Sequence, residues 1–558
     1  MKRQIQELIE KLKPGIDLEK LKKTISAKYK LEKFPTNIEI LEELNEEEKI
    51  IYKKFLITKP TRTISGVAPI AVMTKPLACK HGKCTFCPGG PNSSFGDVPQ
   101  SYTGNEPSTM RAIRSNYDPY LIVFNRLEQY TLLNQVPDKA EVIIQGGTFP
   151  SFEKEYQEEV IKYTLKAMND FSELFFKDNK FNFENFKEFF ELPGSKDNKE
   201  RKIKIQNKLL ELKSSCNLEE EKIKNETTKI REVALCIETK PDWCKQNEIN
   251  EMLDLGTTRV ELGVQTLKEN VLKITNRGHN LEDTKESLQL LKDSFLKVTF
   301  HIMPGLPETT REEDIEMFRE LFLDQNYKPD GLKIYPCIVM PGTPLYLQYK
   351  KGLFTPLNTE QGAEIIAECK RFIEPYCRVY RVNRDIPTNV TEAGIGKTNL
   401  RQYIEKELIK KEIKCKCIRC REPKNKKINY NKIEIKTQEY QSSNGKEVFI
   451  SIEDTENNIL LGFCRLRKPY KPFRPEITKD SCGIRELHIY GQATPIGEEG
   501  LVQHKGYGKL LMRKAEEIAK NNFKCDKILV TSGIGVKEYY EKLGYKKDGV
   551  YMSKKLIY

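Results

Sequence analysis

The sequence predicts an α/β protein with two folded domains: a partial (β/α) barrel of the TIM type, then a smaller α/β domain. Its 558 residues exceed what one hydrophobic core usually supports. From about residue 63 to 400, short β-branched runs alternate with helical stretches, as in parallel sheets with crossover helices. After about residue 440, closely spaced strands lead into a glycine-rich turn, an amphipathic helix and a further strand, which indicates a second α/β unit.

Residues 1–62 precede the barrel and have the polar, amphipathic pattern of short helices. The periodicity predicts one helix over Asp17–Tyr29 and another over Ile38–Phe55. We expect this segment to be a helical appendage.

The barrel itself is predicted over residues 63–400. Its strands are expected at 64–73, 141–144, 233–237, 259–264, 298–303, 331–335 and 378–382. In barrels of this type catalytic groups gather where the strands end. Functional residues are therefore expected in the segment that follows each strand.

An insertion over residues 170–230 interrupts the barrel pattern and delays the next strand. It is rich in Lys, Glu, Asn and Phe, which fits either a small helical hairpin or partial disorder. The phenylalanines available to pack such a hairpin are Phe175, Phe176, Phe181, Phe183, Phe186, Phe189 and Phe190.

A basic linker is predicted over residues 401–440, before the second domain at 441–558. Between Arg401 and Lys436 there are thirteen basic and five acidic residues, a net +8 in a chain whose formal charge is +13. Such a patch suits a polyanionic partner, and a solvated lysine-rich surface is the alternative. The second domain is expected to have strands at 447–454, 458–467, 484–491 and 527–532.

The cysteines indicate metal sites. Fifteen cysteines occur partly in tight clusters, unlike the regular spacing of a secreted disulfide framework.

No apolar stretch has signal-peptide length, and no window approaches the roughly 18 apolar residues of a membrane span. We expect a cytoplasmic protein without a membrane segment.

Cys79, Cys84 and Cys87 follow the first predicted barrel strand, in the segment PLACKHGKCTFCPGG. Three thiolates fill three of the four ligand positions of a [4Fe–4S] cluster and leave one iron open. S-adenosylmethionine (SAM) can chelate that open iron and be cleaved to a 5′-deoxyadenosyl radical. A structural zinc that takes His81 as its fourth ligand is the alternative.

Three segments after later strands carry a resemblance to the radical-SAM superfamily: QGGT at 145–148, GVQT at 263–266 and HIMPGLPETT at 301–310. In that superfamily the first glycine pair, here Gly146 and Gly147, meets the amino group of the methionine moiety of SAM. The usual cysteine spacing is three residues and then two, whereas this chain has four and then two. The difference concerns the shape of the loop around the cluster.

A second cysteine group, Cys415, Cys417 and Cys420, lies in the basic linker. Its tight spacing suits a structural zinc with a distant fourth ligand, which the sequence does not identify. Free thiols are the alternative.

A glycine turn near the C-terminus, Gln503 to Gly508, fits the pattern Q-x-x-G-x-G before an amphipathic helix. Its backbone N–H groups and the helix N-terminus form a site for a pyrophosphate. The order of strand, turn, helix, strand and helix resembles the GNAT acetyltransferases, which implies acetyl-CoA as cofactor.

The GNAT resemblance also implies residue roles. The strand before the turn would line the acyl-pantetheine channel, and a tyrosine on the later helix would protonate the leaving thiolate. For both tyrosine candidates core packing is the alternative. The residues implied are Gln503, Gly506, Tyr507, Gly508 and Lys509 in the turn, Glu486, Leu487, His488 and Ile489 on the strand, and Tyr539 or Tyr540 as the donor.

The whole chain, except the insertion, resembles the family of the catalytic subunit of Elongator. The matching segments are SYTGNEPSTMRAIRSNYDPY, ETKPDWC, TNRGHN, RVYRVNRDIP and RELHIYGQATP. The resemblance implies that a deoxyadenosyl radical abstracts hydrogen from the methyl group of acetyl-CoA. The acetyl radical then adds to carbon 5 of the wobble uridine of tRNA, and thioester hydrolysis leaves a carboxymethyl group.

Further implications follow from the same resemblance. Lys139 would reach acetyl-CoA from the radical domain, with a surface salt bridge as the alternative. Residues 1–62 and the basic linker would bind tRNA, whose anticodon loop presents unstacked bases. A homodimer and the need for accessory subunits are left open.

Two other functions are alternatives for the same sequence features. A protein lysine acetyltransferase would use the iron–sulfur domain as a structural element and would need a base, for which Glu486 is the evident candidate. A non-catalytic tRNA-binding scaffold would use both cofactors only for stability. The three-cysteine site argues against the scaffold, because a structural cluster is better held by four ligands.

Overall fold

The computed structural model describes most of the chain and divides it into two compact units. One unit comprises residues up to 70 together with 118–141 and 160–232, and the other comprises 71–117, 142–159 and 233–558. The described residues are 2–13, 16–31, 34–45, 47, 48, 51, 52, 56, 66–192, 198–424, 426–490 and 506–556.

The N-terminal segment forms short helices, Lys2–Glu10, Leu18–Lys28 and Asn37–Glu43. The second begins where predicted, because the Asp17 side chain accepts a hydrogen bond from the N–H of Lys20. The third is shorter than predicted. Leu44 has extended backbone, so the helix expected over Ile38–Phe55 is interrupted after Glu43, and the described residues 47, 48, 51 and 52 are helical again.

The insertion differs from the predicted helical hairpin. The helix Lys154–Phe175 leads into a β-hairpin of β5 (Phe176–Lys177) and β6 (Lys180–Phe181), and the linking Asp178 and Asn179 have positive φ. Such turns match the twist of paired strands. The phenylalanines do pack together, with Phe171 and Phe175 ring centroids 4.7 Å apart. The helices that follow are Phe183–Phe189, Lys199–Leu212 and Leu218–Thr227.

The predicted half-barrel is confirmed as a seven-stranded sheet in the order β1-β4-β7-β8-β9-β10-β11. Neighbouring strands from β7 to β11 run parallel. The strands are β1 Val67–Met73, β4 Lys139–Gln145, β7 Arg231–Thr239, β8 Arg259–Gln265, β9 Lys297–Ile302, β10 Gly331–Ile334 and β11 Arg378–Arg381, and a small hairpin of β2 Gly90–Ser93 and β3 Gly96–Val98 follows β1.

The helices between these strands match the predicted alternation of strand and helix. They are Pro107–Arg114, Pro119–Leu132, Gln246–Asp254, Glu269–Ile274, Leu281–Asp293, Arg311–Leu323, Pro344–Lys350 and Thr359–Cys369. Within the described residues, no helix has the length and apolar character needed to cross a membrane.

The second sheet has the order β12-β13-β14-β15-β16-β18-β17. Its strands are β12 Ile433–Ser442, β13 Gly445–Asp454, β14 Ile459–Lys468, β15 Ser481–Ile489, β16 Lys527–Val530, β17 Lys546–Asp548 and β18 Tyr551–Lys555, with helices Tyr507–Asn521 and Lys537–Glu541. The pair β15 and β16 is parallel, whereas the other neighbours are antiparallel. Leu511, Met512 and Ala515 of the longer helix join the buried core of this sheet.

The segment predicted as a basic linker, 401–440, contains regular structure. Helices Leu400–Lys410 and Ile418–Arg421 occupy its first half, and β12 begins at Ile433 and pairs along its length with β13. β12 is an edge strand whose residues are mostly exposed. An exposed edge strand can contain many charged and polar residues, so β12 lacks the clear apolar pattern by which the other strands were predicted.

Candidate active site

The three cysteines of the first cluster lie on the loop that follows β1. Cys84 and Cys87 are buried and Cys79 is half-buried. The backbone N–H of Cys87 bonds to the carbonyl of Cys84 at 3.0 Å, and the N–H of Ser101 donates to the Cys87 sulfur at 3.2 Å. Burial raises the pKa of Cys79 to about 11 and raises that of Cys87. Metal binding would therefore displace protons from this loop.

The spacing of these sulfurs bears on which metal they suit. Around a single tetrahedral zinc, sulfurs lie about 3.8 Å apart. Among the described residues, two groups offer three ligand atoms within 4.8 Å of one another, and the triad Cys79, Cys84 and Cys87 is not one of them. A four-iron cluster takes one thiolate at each of several irons and so accepts a wider spacing. The residues fit such a cluster better than a single zinc.

His81, the proposed fourth ligand of a zinc, has other partners. The ammonium of Lys240 donates to its Nδ1 at 2.9 Å, which leaves the N–H at Nε2 to face the Cys84 sulfur at 3.3 Å. Burial and the charge of Lys240 lower the pKa of His81 to about 4. Neither ring nitrogen is free to complete a zinc site.

Gly146 and Gly147 follow β4 with φ of 127° and 112°, a region that side chains rarely allow. A Cβ at Gly146 would lie 2.1 Å from the hydroxyl oxygen of Thr74. The chain therefore needs glycine here to make this close turn.

One cavity brings the predicted segments together at the strand ends. The triad cysteines line it with Gly147, with residues after β8 and β9, and with charged side chains. These lining residues are Cys79, Cys84, Cys87, Gln145, Gly147, Gly263, Gln265, His301 and Met303. His301, on β9, is the histidine of the HIMPGLPETT segment that lines this cavity.

A charged layer that sequence reasoning missed closes the cavity. Glu261 forms ion pairs with Lys333 and with Arg259 (3.2 Å), and His301 Nε2 lies 2.9 Å from its carboxylate. Lys333 also lies 3.6 Å from Glu238. Burial opposes ionisation of Glu261, but the charges of Lys333 and Arg259 hold its pKa well below the ordinary value.

A signal for this layer was present in the sequence. β8 is buried at all seven positions and yet contains Arg259 and Glu261. Charged residues in a strand buried on both faces must be paired, and they are frequently functional.

β15 is the strand that the GNAT resemblance assigns to the acyl-pantetheine channel, and it extends beyond its parallel neighbour. β16 pairs with β15 only from Ser481 to Ile484, whereas β15 continues to Ile489. The two parallel strands thus separate beside the predicted pantetheine residues.

Two of these residues are polar and part-buried. Glu486 forms ion pairs with Lys297 and with Arg465 (2.8 Å). Burial opposes its ionisation, but the charges of Lys297 and Arg465 lower its pKa to about 2. The His488 ring is stacked on Phe463 and tilted against Tyr490, and burial lowers the pKa of His488 to about 4. Leu487 packs against the core of the second sheet.

The glycine turn brings Gly508 close to two other predicted site residues, Tyr539 and Ile489. Gly506 caps the helix Tyr507–Asn521 with φ of 78°, and no atom of the described residues lies within 4 Å of where its Cβ would be. A Cβ at Gly508 would lie 2.7 Å from the Tyr539 hydroxyl and 4.0 Å from Ile489. Lys509 is exposed, and Gln503 lies outside the described residues.

The two tyrosine candidates differ in position. The Tyr539 ring is half-buried with its hydroxyl beside Gly508, whereas Tyr540 is buried in the core of the second sheet. Burial raises the pKa of both phenols. Tyr539 is therefore the better placed donor.

Lys139 begins β4, and its ammonium lies 3.8 Å from the carboxylate of Asp138. Its side chain is 32% exposed. This pair matches the salt bridge considered as the alternative, and contact with acetyl-CoA stays a prediction.

The second cysteine group has the geometry of a single-ion site. The sulfurs of Cys415, Cys417 and Cys420 lie within 4.8 Å of one another. The ammonium of Lys370, which is buried, donates to the Cys420 sulfur at 3.9 Å. No His, Asp, Glu or further Cys among the described residues joins this group within that distance.

Family models match consecutive parts of the chain. The ELP3 N-terminal domain matches residues 2–64, and the Radical SAM superfamily matches 76–321. The Radical_SAM C-terminal domain matches 329–410, and the Acetyltransferase (GNAT) family matches 419–545. The models thus cover the appendage, the half-barrel and the second sheet in the predicted order.

Curated relatives match over nearly the whole chain. The tRNA uridine(34) acetyltransferase of Methanocaldococcus infernus is 47% identical over 533 residues, which is 94% of this chain and 92% of the relative. Elongator complex protein 3 of Homo sapiens is 37% identical over 566 residues, which is 99% of this chain and 96% of the relative.

A solved structure has the same fold. The archaeal Methanocaldococcus infernus Elp3 with an N-terminal deletion is 41% identical, with a TM-score of 0.72, and the match covers 88% of this chain and 100% of that one. The chain therefore belongs to the Elongator complex protein 3 family, and it is an enzyme that combines a radical SAM domain with a GNAT acetyltransferase domain.

Proposed function

We propose that this enzyme carboxymethylates carbon 5 of the wobble uridine of tRNA, with acetyl-CoA as the carbon source and SAM as the radical source. The single observation that carries the proposal is the cavity that is lined by the three cysteines, by Gly147 and by Glu238, Glu261 and Lys333 of the charged layer. The name of the relatives, tRNA uridine(34) acetyltransferase, supplies the substrate.

The radical site would be held by the cysteine loop and the glycine pair. Cys79, Cys84 and Cys87 would ligate three irons of a [4Fe–4S] cluster, and the backbone at Gly146 and Gly147 would receive the amino group of SAM. When bound, the cluster supplies the electron that cleaves SAM to a 5′-deoxyadenosyl radical. The buried walls of this cavity limit the access of water to a reactive intermediate.

The acetyl-CoA site would lie where β15 and β16 separate. The helix N-terminus at Gly506 to Gly508 would take the pyrophosphate, and the strand from Glu486 to Ile489 would take the pantetheine. The Tyr539 hydroxyl would donate a proton to the leaving thiolate, because it lies where the turn and the strand meet.

The decisive test follows both products of the proposed reaction. Anaerobically reconstituted enzyme is given SAM, a reductant, acetyl-CoA and tRNA with uridine at position 34. We expect 5′-deoxyadenosine and 5-carboxymethyluridine by mass spectrometry, and loss of both in Cys84→Ala. Acetylated lysines on a protein substrate with neither product would contradict the proposal.

The lysine acetyltransferase alternative is weakened by the state of Glu486. A general base works best when its pKa lies near the working pH. Ion pairs with Lys297 and Arg465 lower the pKa of Glu486 to about 2 and occupy the carboxylate. It is therefore a poor base for a lysine ammonium.

Replacing Gly508 by valine tests the acetyl-CoA site. The new Cβ would lie 2.7 Å from the Tyr539 hydroxyl and would obstruct the turn. We expect the affinity for acetyl-CoA to fall at least about tenfold, or about 1.4 kcal/mol, as measured by calorimetry. The matched control is Gly396→Val, because Gly396, like Gly508, lies outside the positive-φ region and no described atom lies within 4 Å of where its Cβ would be. Equal affinity in wild type and Gly508→Val would remove this turn from the site.

We further propose that Cys415, Cys417 and Cys420 hold a structural zinc. Replacing Cys417 by serine is expected to reduce the zinc content, measured by mass spectrometry of the metal, from about one ion per chain to near zero. Cys464→Ser removes a buried thiol outside the group and should leave the zinc content unchanged. Metal-free wild-type protein with an unchanged melting temperature would favour free thiols.

The remaining expectations concern partners and location. Basic residues of the N-terminal segment and of 401–440 would contact the tRNA backbone, so binding should weaken steeply with salt. We infer a cytoplasmic enzyme, and a homodimer or accessory subunits remain open to measurement.

A further inference from the structure

Arg277 is a buried guanidinium that lies against the cysteine loop. One of its terminal nitrogens, Nη1, donates to the Cys84 sulfur at 3.3 Å, and Nη2 donates to the carbonyl of Gly263 at 2.6 Å. The residue is 6% exposed, and its Nε has no hydrogen-bond partner among the residues that the structure describes. The side chain is thus held between the cysteine loop and the end of β8.

The surrounding backbone fixes this position. The N–H of Thr85 donates to the carbonyl of Thr275 at 3.1 Å, and the side chain of Asn276 donates to the carbonyl of Lys83 at 3.0 Å. Gly278, with φ of 72°, packs so closely on His81 that a Cβ would lie 2.6 Å from it. The segment after helix Glu269–Ile274 is therefore tied to the cysteine loop on both sides of Arg277.

The charge of Arg277 needs a counter-charge. A buried cation is costly unless an anion pairs with it. Within the part of the chain that the structure describes, Arg277 forms no ion pair with a carboxylate, and its partners are a sulfur and a carbonyl. A thiolate at Cys84 that ligates iron would be an anion at the right place.

We propose that Arg277 is a positioning residue that donates a hydrogen bond to the Cys84 sulfur of the cluster and thereby raises the reduction potential of the cluster. The proposal rests on the proposed function, because it assumes a [4Fe–4S] cluster at the triad. Reduction adds one electron and one negative charge to the cluster, so a nearby guanidinium stabilises the reduced form more than the oxidised form. Hydrogen bonds to cluster sulfurs act in the same direction.

The test is a redox titration of the reconstituted full chain without SAM, followed by electron paramagnetic resonance. In Arg277→Gln we expect the equilibrium constant for one-electron reduction to fall at least about tenfold, which is a shift of about 59 mV to lower potential. Arg277→Lys keeps the charge but not the planar fork of the guanidinium. The reduction potential of the cluster in this variant should therefore lie between those of the wild type and Arg277→Gln. If Arg277→Gln fails to bind a cluster, a severalfold decrease in Arg277→Lys supports the proposal, and no decrease overturns it.

Arg384→Gln is the matched control. The charge of Arg384 acts on the triad at Cys87, but its guanidinium donates to the backbone carbonyl of Ser101. We expect the reduction potential of the cluster to decrease less in Arg384→Gln than in Arg277→Gln. An equal decrease in both variants would assign the effect to net charge and overturn the role of the hydrogen bond.

The result separates this proposal from the one on which it rests. Wild-type protein that binds no four-iron cluster, by iron and sulfide content, would contradict the proposed function. Two results would overturn the role of Arg277 alone. The variants could bind the [4Fe–4S] cluster with the reduction potential of the wild type, or they could differ from the wild type only in their affinity for SAM.

Discussion

Replacing Asp330 by alanine is expected to lower the free energy of unfolding by about 3–5 kcal/mol. Asp330 is fully buried before β10 and accepts two hydrogen bonds of 2.7 Å from the fork of Arg485 on β15. It also accepts the backbone N–H of Val298 at 2.8 Å. The variant would leave Arg485 buried without its bidentate partner.

This cost reaches beyond one residue, because Asp330 belongs to a buried network. Arg485 also pairs with Glu447, which pairs with Arg467, and Arg467 pairs with Asp293 at 2.6 Å. Every side chain in this set is fully buried. The network joins the second sheet to residues that precede the strands of the half-barrel.

The measurement is the midpoint of urea unfolding at constant slope. The fluorescence of Trp243, the one tryptophan of the sequence, provides a signal from the half-barrel. Arg319→Ala, which breaks an ion pair with Glu316 whose side chains are 52% and 63% exposed, should cost less than about 1 kcal/mol. In a double-mutant cycle, Asp330→Ala with Arg485→Ala should cost less than the sum of the two changes. Additive costs would contradict direct coupling.

Replacing Gly146 by alanine is expected to reduce the formation of 5′-deoxyadenosine at least about a hundredfold, or about 2.7 kcal/mol in the activation free energy. With φ of 127°, a Cβ is strained, and it would lie 2.1 Å from the Thr74 hydroxyl. The turn would have to move away from the position proposed to receive SAM. The affinity for SAM should fall together with the rate.

Two further variants show whether the steric contact causes this loss. Thr74→Ala removes a buried hydroxyl that has no hydrogen-bond partner within the described part of the chain, and should have little effect by itself. Combined with Gly146→Ala it should restore part of the activity, because the 2.1 Å contact is removed while the strain at φ remains. Full activity of Gly146→Ala alone would show that the turn does not position SAM.

Much of the fold was predicted from local patterns. The strands of the half-barrel appeared as β-branched runs separated by helical stretches, and each lies within a few residues of its expected place. The Asp17 cap set a helix start because a side-chain hydrogen bond to a nearby N–H is a local interaction. β12 was missed because an edge strand needs no apolar alternation.

The candidate site was predicted in outline. Cys79, Cys84, Cys87 and Gly147 do line one cavity, as their places at strand ends required. Glu261, Lys333 and Arg277 were missed, because they come from three different segments and each has meaning only through its partners. Spacing along the chain carries no information on such pairings.

The sequence by itself determined the two α/β domains, the two cysteine groups and the glycine turns, because each depends on residues close together in the chain. Only the tertiary structure decided that Tyr539 and not Tyr540 lies beside Gly508, that Glu486 is occupied by Lys297 and Arg465, and that Arg277 faces Cys84. These outcomes depend on which buried charges and rings are in contact after the chain has folded. A buried polar group is costly unless it is paired, and the tertiary packing decides which partner is within reach.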